Sequence, residues 1–343
     1  MGEQLDLFGG EWKGARDDGD AGRRLEIEHA DAARIAAAIP ELVRFGTSSW
    51  SFPGWTGIVW SRARTQSEAA RDGLVEYARH PLLRTVGIDR GFYAPIPEEE
   101  LHRYADQLPP GFPCCAKVPE AITSPVRVGA GRPIKNETFL DAAALLRDTL
   151  EPFARAFSDH IGPFLLQFPP VPGKLRLAPD RFAERLDAFL ERLPPEHSYA
   201  VELRDPTLLT PAYAEVLARH RVAHVYNQAT AMPRIGVQRS RVPLATVPFA
   251  VVRLLLRPGS RYAERRDAFM PFDRIVDPDP LMRREVVDLL VDAIGTSKPS
   301  YVLVNNKAEG CAPLTVKALA ELLAGRGETP VAERDAGPPA PAR

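Results

Sequence analysis

The chain has 343 residues, 45% of them hydrophobic, so it can bury a large core and is not a mostly disordered protein. Its 44 basic and 45 acidic residues nearly cancel, which argues against a wholly basic protein that coats nucleic acid. No apolar run approaches the ~20 residues of a membrane span, and no hydrophobic signal core follows Met1. Cys114, Cys115 and Cys311 form neither a disulfide framework nor a CxxC pair, so we expect a cytoplasmic protein without membrane contacts.

The two ends of the chain differ from its middle. Residues 1–22 are polar, charged and rich in glycine, and residues 325–343 are rich in Gly, Pro and Ala, so both predict flexible, disordered tails. Apolar residues at helical spacing over 24–39 predict an amphipathic helix within a segment 23–43. Residues 44–324 remain as the main folded domain.

That domain contains eight short apolar runs, most of them separated by amphipathic segments. This alternation indicates βαβ units and a parallel sheet, and eight strands in about 280 residues fit a closed barrel better than an open sheet. No G-x-G-x-x-G follows the first run, which weakens a dinucleotide-binding alternative. We therefore predict an α/β fold, a single (β/α)8 barrel of the TIM type. The runs are 44–47, 83–88, 113–118, 163–168, 199–203, 223–226, 249–254 and 301–304, and the clearest helices are 142–157, 181–193, 212–220, 281–294 and 314–323.

Every predicted strand ends on a polar residue. TIM-type barrels place their chemistry at these C-terminal strand ends and in the loops that follow. Polar groups that point into a barrel need partners, so a complete row of them predicts a functional site, which we call the mouth. The alternative is that some pair with one another, as Asp89 with Lys117 or Glu202 with Arg253. The residues are Ser48, Ser49, Asp89, Lys117, Gln167, Glu202, Arg204, Asn227, Arg253, Asn305 and Asn306.

Three of these residues are candidates for catalysis. Glu202 and Asp89 suit an acid/base pair, and Lys117 suits a desolvated Schiff-base lysine or, alternatively, an electrostatic partner of the carboxylates. All seven histidines lie away from the strand ends, which argues against zinc. A divalent cation held by Asp89 and Glu202 stays open, and we assign no metal ligand and no cofactor.

Aromatic and basic residues are concentrated near the predicted mouth. Trp50, Trp55 and Trp60 fall within eleven residues after the first strand; their rings could stack on a sugar or a base, or simply pack the loop over the barrel. If the loops after strands three, six and seven share one rim, they form a basic surface for phosphates or a nucleic-acid backbone. The basic residues are Arg127, Arg132, Lys135, Arg234, Arg239, Arg241, Arg257, Arg261, Arg265 and Arg266.

Several motifs in the same order resemble the YecE-like family of uncharacterised TIM barrels, a domain of unknown function, over roughly residues 45–323. The resemblance implies the barrel fold of a broad group that includes sugar isomerases and apurinic endonucleases, without an established reaction. It also adds Tyr93 to the candidate substrate-binding residues. The motifs are Gly46-Thr47-Ser48-x-Trp50-Ser51 with Trp55 and Gly57, Phe92-Tyr93, Lys117 with Thr123, Leu166-Gln167-Phe168-Pro169-Pro170, Val201-Glu202-x-Arg204, Arg253, and Asn305-Asn306 with Gly310 and Ala312.

The chain departs from that family pattern at three places. The resemblance implies a glutamate where this chain has Gly87 and a histidine where it has Asp205. It also implies a His-Gly pair where leucines 254–256 follow Arg253. A mechanism that relied on those histidines cannot operate here, so we expect a divergent member. Asp89, two residues after Gly87 and on the same face of the strand, is the expected substitute for the missing carboxylate.

The N-terminal tail contains a second resemblance. Gln4-Leu5-Asp6-Leu7-Phe8 is similar to the pentapeptide by which bacterial polymerases and repair proteins dock onto the replication sliding clamp. Leu7 and Phe8 would fill an apolar pocket and Gln4 would make polar contacts, while a disordered flank lets the peptide reach its groove. The alternative is an unstructured start with incidental leucines, or one that packs on the protein's own barrel.

Three functions are consistent with these features. The first is a hydrolase or phosphoesterase for a phosphate-bearing substrate, such as damaged nucleic acid, with Glu202, Asp89 and Lys117 catalytic. The second is an isomerase or hydrolase of sugars or sugar phosphates that uses the same mouth, and the third is a non-catalytic ligand-binding barrel or adaptor. The candidate substrate-binding residues are Ser48, Trp50, Trp55, Tyr93, Gln167, Arg204, Arg253, Asn305 and Asn306, and the candidate clamp-binding residues are Gln4, Leu5, Leu7 and Phe8.

Overall fold

The computed structural model describes residues 18–129, 132–171 and 176–328. Eight parallel strands close into a barrel in which neighbouring strands follow one another along the chain and the last strand pairs with the first. Each predicted apolar run coincides with one of these strands, so the predicted TIM-type barrel is confirmed. The strands are β1 Val43–Thr47, β2 Leu83–Ile88, β3 Cys114–Lys117, β6 Ile161–Phe168, β7 Tyr199–Leu203, β8 Ala223–Gln228, β9 Ala250–Leu254 and β10 Ser300–Val304.

A small hairpin interrupts the barrel pattern after β3. Strands β4 (Val126–Gly129) and β5 (Arg132–Lys135) pair antiparallel and form a separate two-stranded sheet. We predicted only a basic loop here, because the four-residue strands are too short to stand out from their surroundings.

Helices surround the barrel. The predicted helix over 142–157 is one helical run from Ala142 to Ala156, with a π-helical turn at Leu146–Leu150 just before Pro152. The π turn accommodates this proline, which donates no backbone N–H and crowds the preceding turn. The helices are α1 Asp18–Ala36, α2 Gln66–Asp72, α3 Leu74–Tyr77, α4 Glu98–Ala105, α5 Glu120–Thr123, α6 Ala142–Leu145, α7 Glu151–Ala156, α8 Pro179–Leu190, α9 Pro211–His220, α10 Ile235–Arg241, α11 Tyr262–Phe269, α12 Pro280–Gly295 and α13 Ala312–Glu328.

Helix α1 precedes the barrel and packs beside α13. It includes residues 18–22 as well as most of the predicted helical segment, and it ends four residues before Pro40, where the chain tightens into shorter-range hydrogen bonds. Lys317 of α13 binds Glu28 at 2.9 Å and Asp31 at 2.6 Å, so buried contacts and ion pairs both hold α1 in place. The peptide at residues 4–8 lies outside the described residues, as does the chain after Glu328. In the part of the chain that the structure describes, no helix has the length and apolar character needed to cross a membrane.

The interior of the barrel has its own small apolar cluster, separate from the core between strands and helices. Because strand side chains alternate, a residue two positions after an interior residue also points into the barrel, and it lies closer to the C-terminal end of the strand. Lys117, Gln167, Glu202, Asn227 and Arg253 therefore share the inner face. The interior cluster comprises Cys115, Leu165, Ala200, Ala223, Val225, Phe249, Val251 and Leu303, with Tyr301 beside it.

Candidate active site

A buried ion pair joins β7 and β9 at the mouth. The side chains of Glu202 and Arg253 are both 0% exposed, and Arg253 Nη1 donates to Glu202 Oε2 at 2.6 Å. Arg204 Nε donates to the other carboxylate oxygen, also at 2.6 Å, and its Nη2 donates to Gln167 Oε1 at 3.1 Å. Burial raises the pKa of Glu202, but the two guanidinium groups outweigh it and lower that pKa to about 2. Glu202 is thus a permanently ionised anchor for two arginines.

Asp89 and Lys117 extend this network across the barrel. Asp89 begins the short 3-10 turn after β2, and both of its oxygens accept from Arg253 Nη2, at 3.0 and 2.9 Å. Lys117 Nζ lies 3.2 Å from Asp89 Oδ2 and 5.1 Å from the centre of the Phe92 ring. Burial lowers the pKa of Lys117 to about 8, although Asp89 opposes this shift. Lys117 is therefore mostly charged near physiological pH, with a minor neutral fraction far larger than that of an ordinary lysine.

Three cations and two carboxylates meet in this network, which makes its formal charge +1. Asp89 and Arg204 keep 18% and 19% of their side chains exposed, whereas Lys117 keeps 7%. The two pairs considered in the sequence, Asp89 with Lys117 and Glu202 with Arg253, are both present. They form one connected network rather than isolated pairs.

Other predicted mouth residues have buried polar atoms without a hydrogen-bond partner. Within the described residues, these atoms are Ser48 Oγ, Asn227 Oδ1 and Asn306 Nδ2, and Trp50 Nε1, just after the first strand, is also unpartnered. Buried polar atoms are nearly always hydrogen-bonded in folded proteins, so unpartnered ones at strand ends indicate where a ligand or water is bound. Asn305 instead caps its own loop, since its Oδ1 accepts from the backbone N–H of Lys307 at 3.0 Å.

Two predicted binding residues turn away from the mouth. Trp55 is 0% exposed, stacks on Trp60 at 6.1 Å, and donates its indole N–H to Asn306 Oδ1 at 3.1 Å. Asn306 also accepts from the backbone of Ala312, so it ties the β10 loop to the start of α13. Trp55 and Trp60 therefore pack the loop over the barrel, which was the alternative to stacking on a ligand. Of the aromatic residues predicted to bind substrate, Tyr93 is the most exposed, at 42%.

Carboxylates pair with seven of the ten basic residues expected in the rim, which leaves less positive charge there than the sequence predicts. Arg257 lies 3.2 Å from Asp277 and 3.3 Å from Asp279, and Arg265 lies 2.9 Å from Asp277. Arg239 pairs with Asp292 near the C-terminus of α12, at the end of the barrel opposite the mouth. The remaining pairs are Lys135 with Glu137, Arg234 with Glu285, Arg261 with Glu264 and Arg266 with Asp267.

The departures from the family pattern have local explanations. A Cβ at Gly87 would lie 2.8 Å from the carbonyl oxygen of Ser48, so a larger residue there would push β1 and β2 apart. Asp205 accepts from Arg176 Nε at 2.6 Å and from the backbone of Thr207 at 3.0 Å, so it holds a loop. Among the described residues, no cluster of three or more His, Cys, Asp or Glu is arranged to hold a metal ion.

Sequence reasoning missed Lys307, which follows the polar pair after β10. It is 3% exposed, and its Nζ lies 4.4 Å from the ring centre of Tyr262 and 5.7 Å from that of Phe272. Burial is the main reason that its pKa falls to about 8. The signal was present, because Lys307 directly continues the Asn305-Asn306 motif.

Comparisons with known proteins agree with this fold. The family model described as "Protein of unknown function DUF72" matches residues 44–341. A DUF72 family structure from Enterococcus faecalis V583 aligns with a TM-score of 0.56 at 20% identity, covering 82% of this chain and 95% of its own. One from Thermotoga maritima MSB8 aligns with a TM-score of 0.55 at 19% identity, covering 82% and 98%. No curated protein matches. The chain belongs to the DUF72 family, to which the YecE-like proteins that its motifs resemble also belong.

Proposed function

We propose that the mouth is the active site of an enzyme for a small phosphate-bearing substrate, with Lys117 as the reacting amine. One observation carries this proposal: three cations, Lys117, Arg204 and Arg253, face two carboxylates in a largely buried network. A buried charge without a counter-charge is costly, so the surplus positive charge favours an anionic ligand. Phosphate suits it best, because guanidinium groups bind phosphate oxygens in pairs.

Each residue has a separate role in this proposal. Glu202 is a positioning residue, since a carboxylate with a pKa of about 2 neither gives nor takes a proton near pH 7. It aims Arg204, whose side chain is 19% exposed, at the substrate. Lys117, with a pKa of about 8, is about one-quarter neutral at pH 7.5 and can act as base or nucleophile. Asp89 pairs with the Lys117 ammonium group at 3.2 Å and fixes the direction of that side chain.

The geometry favours a sugar phosphate or similar small molecule over nucleic acid. A nucleic-acid backbone needs a run of cations along its path, whereas most of the loop arginines of this chain are paired with carboxylates. The cationic groups in surplus lie close together inside the mouth, which favours one small anionic group over a long polyanion. This favours the second of the three functions considered from the sequence.

Calorimetric titration tests the binding step. We expect ribose 5-phosphate and inorganic phosphate to bind and ribose not to, and Lys117→Met to weaken phosphate binding about tenfold or more. Lys135→Met is the matched control, because Lys135 is exposed and pairs with Glu137 outside the barrel. Equal binding of ribose and its phosphate, or of neither, would refute the proposed substrate class. Binding without conversion of any sugar phosphate, followed by NMR, would instead identify a ligand-binding barrel.

Docking to a sliding clamp is a separate proposal that rests on residues 4–8. We expect micromolar binding of the full chain to a bacterial sliding clamp, lost when Leu7 and Phe8 are both changed to Ala. Trp12→Ala is the control, since Trp12 lies in the same tail but outside the pentapeptide. If the unaltered chain does not bind the clamp, the pentapeptide is coincidental.

A further inference from the structure

The loop after β10 is held rigidly around Lys307. Arg265 donates from Nε to the carbonyl oxygen of Lys307 and from Nη2 to that of Ala308, both at 3.0 Å. Asp277 fixes Arg265 in turn at 2.9 Å, and Asn305 caps the backbone N–H of Lys307. Two hydrogen bonds therefore hold the backbone of Lys307, and a third holds that of the next residue.

The ammonium group of Lys307 differs from those of the other lysines that the structure describes. Lys117, Lys135 and Lys317 each contact a carboxylate, and Lys298 donates to backbone carbonyls. Across residues 18–129, 132–171 and 176–328, Lys307 has no hydrogen-bond acceptor and no carboxylate; its Nζ lies over the rings of Tyr262 and Phe272. Aromatic faces stabilise a cation without neutralising its charge. Lys307 thus keeps its donors available for an anion.

Lys307 lies on the same side of the mouth as the charged network. Strand β10 lies between β9, which carries Arg253, and β1, which is followed directly by Ser48 with its unpartnered hydroxyl. The register pairs Leu303 with Arg253, only four residues before Lys307. Burial and Arg266 lower the pKa of Lys307, and Asp89 raises it by a smaller amount. Asp89 is therefore near Lys307, although the two side chains are not in contact. The mouth therefore contains a second lysine besides Lys117.

We propose that Lys307 is a second anion-binding position of the mouth, so the preferred ligand has two separate anionic groups. One is the phosphate proposed above, on which this inference rests, and the other is a carboxylate or second phosphate at Lys307. With Lys307 included, the charged groups of the mouth sum to +2, which a ligand with two such groups can balance. The polar atoms of Ser48 lie on the neighbouring strand and can bind the part of the ligand between them.

Two matched ligand pairs test this proposal by calorimetry. In 3-phosphoglycerate a carboxylate replaces the hydroxymethyl group of glycerol 3-phosphate, and fructose 1,6-bisphosphate adds a phosphate to fructose 1-phosphate. We expect the second anion to tighten binding about tenfold in at least one pair. The pair that responds tells a carboxylate from a phosphate.

Lys307→Met keeps the apolar stem against the rings and removes the charge. We expect this variant to lose the gain from the second anion while binding the monophosphates as before, and Lys117→Met to weaken all four ligands. Lys135→Met serves as the control, and thermal unfolding confirms that each variant is folded. Equal affinities within both pairs, or an undiminished gain in Lys307→Met, would overturn the inference while leaving the proposed function intact. If none of the four ligands binds, both fail.

Discussion

Replacing Arg253 with methionine is expected to lower the free energy of unfolding by about 3–5 kcal/mol. Arg253 is fully buried and neutralises Glu202, which is 0% exposed, as well as Asp89. Methionine fills a similar volume but leaves the Glu202 carboxylate with Arg204 alone, and a buried charge short of its partner is costly. Urea denaturation of the purified variant measures the change.

Two further variants isolate the electrostatic cause of this loss. Arg239→Met breaks a partly exposed pair with Asp292 and is expected to cost no more than about 1 kcal/mol. Glu202→Gln, added to Arg253→Met, is expected to restore part of the lost stability, because it removes the uncompensated charge. A loss below about 1 kcal/mol in Arg253→Met, with no effect of the second change, contradicts this account.

The same pair predicts an acid dependence of stability. The pKa of Glu202 lies at about 2 in the folded chain, below its ordinary value of 4.5, so the unfolded chain binds more protons between these values. Its stabilising contribution is complete above about pH 4.5 and is lost as the pH falls toward about 2. In Arg253→Met the folded-state pKa of Glu202 is expected to rise, so this acid-dependent loss is expected to shrink or disappear, which urea denaturation at several pH values measures.

Lys117 is expected to react with acetic anhydride at pH 7.5 on the order of a hundredfold faster than an ordinary lysine of equal access. Only the neutral amine reacts, and a pKa of about 8 makes far more of it available than the usual value of 10.5 does. Competitive labelling between pH 6 and 11, read by mass spectrometry of the peptide that contains Lys117, should show a midpoint near pH 8.

The exposed Lys135 provides the internal reference for reactivity. Asp89→Asn removes the carboxylate that raises the pKa of Lys117, so its midpoint is expected to move below pH 8. A midpoint for Lys117 that coincides with that of Lys135 would show an ordinary ammonium and end its role as the reacting amine.

The barrel and the inward row of polar residues were predictable because both follow from local patterns. A buried parallel strand is an apolar run, and the two-residue period of strands places Gln167 and Glu202 on the same face as Leu165 and Ala200. Asn306 was not predictable in this way, because it lies in a turn beyond the end of β10, where the two-residue period no longer applies, and its side chain binds Trp55.

The pairing of charges was not predictable. Arg253 contacts Asp89, 164 residues away in sequence, and Arg239 pairs with Asp292, 53 residues away. Arginines in a loop look like a basic surface until the carboxylates of distant helices are placed beside them. Lys307 was missed because the sequence does not show which lysines lack a carboxylate partner. Among the described residues, its ammonium group lies over aromatic rings and contacts no carboxylate.

The crossing position of Arg253 makes the mouth a stiff frame. One guanidinium group joins the ends of β2, β7 and β9, and Asp89 connects it to Lys117 at the end of β3. These four strand ends cannot move apart independently without breaking charged hydrogen bonds. A ligand that enters the mouth therefore finds its donors already oriented, and little conformational entropy is lost on binding.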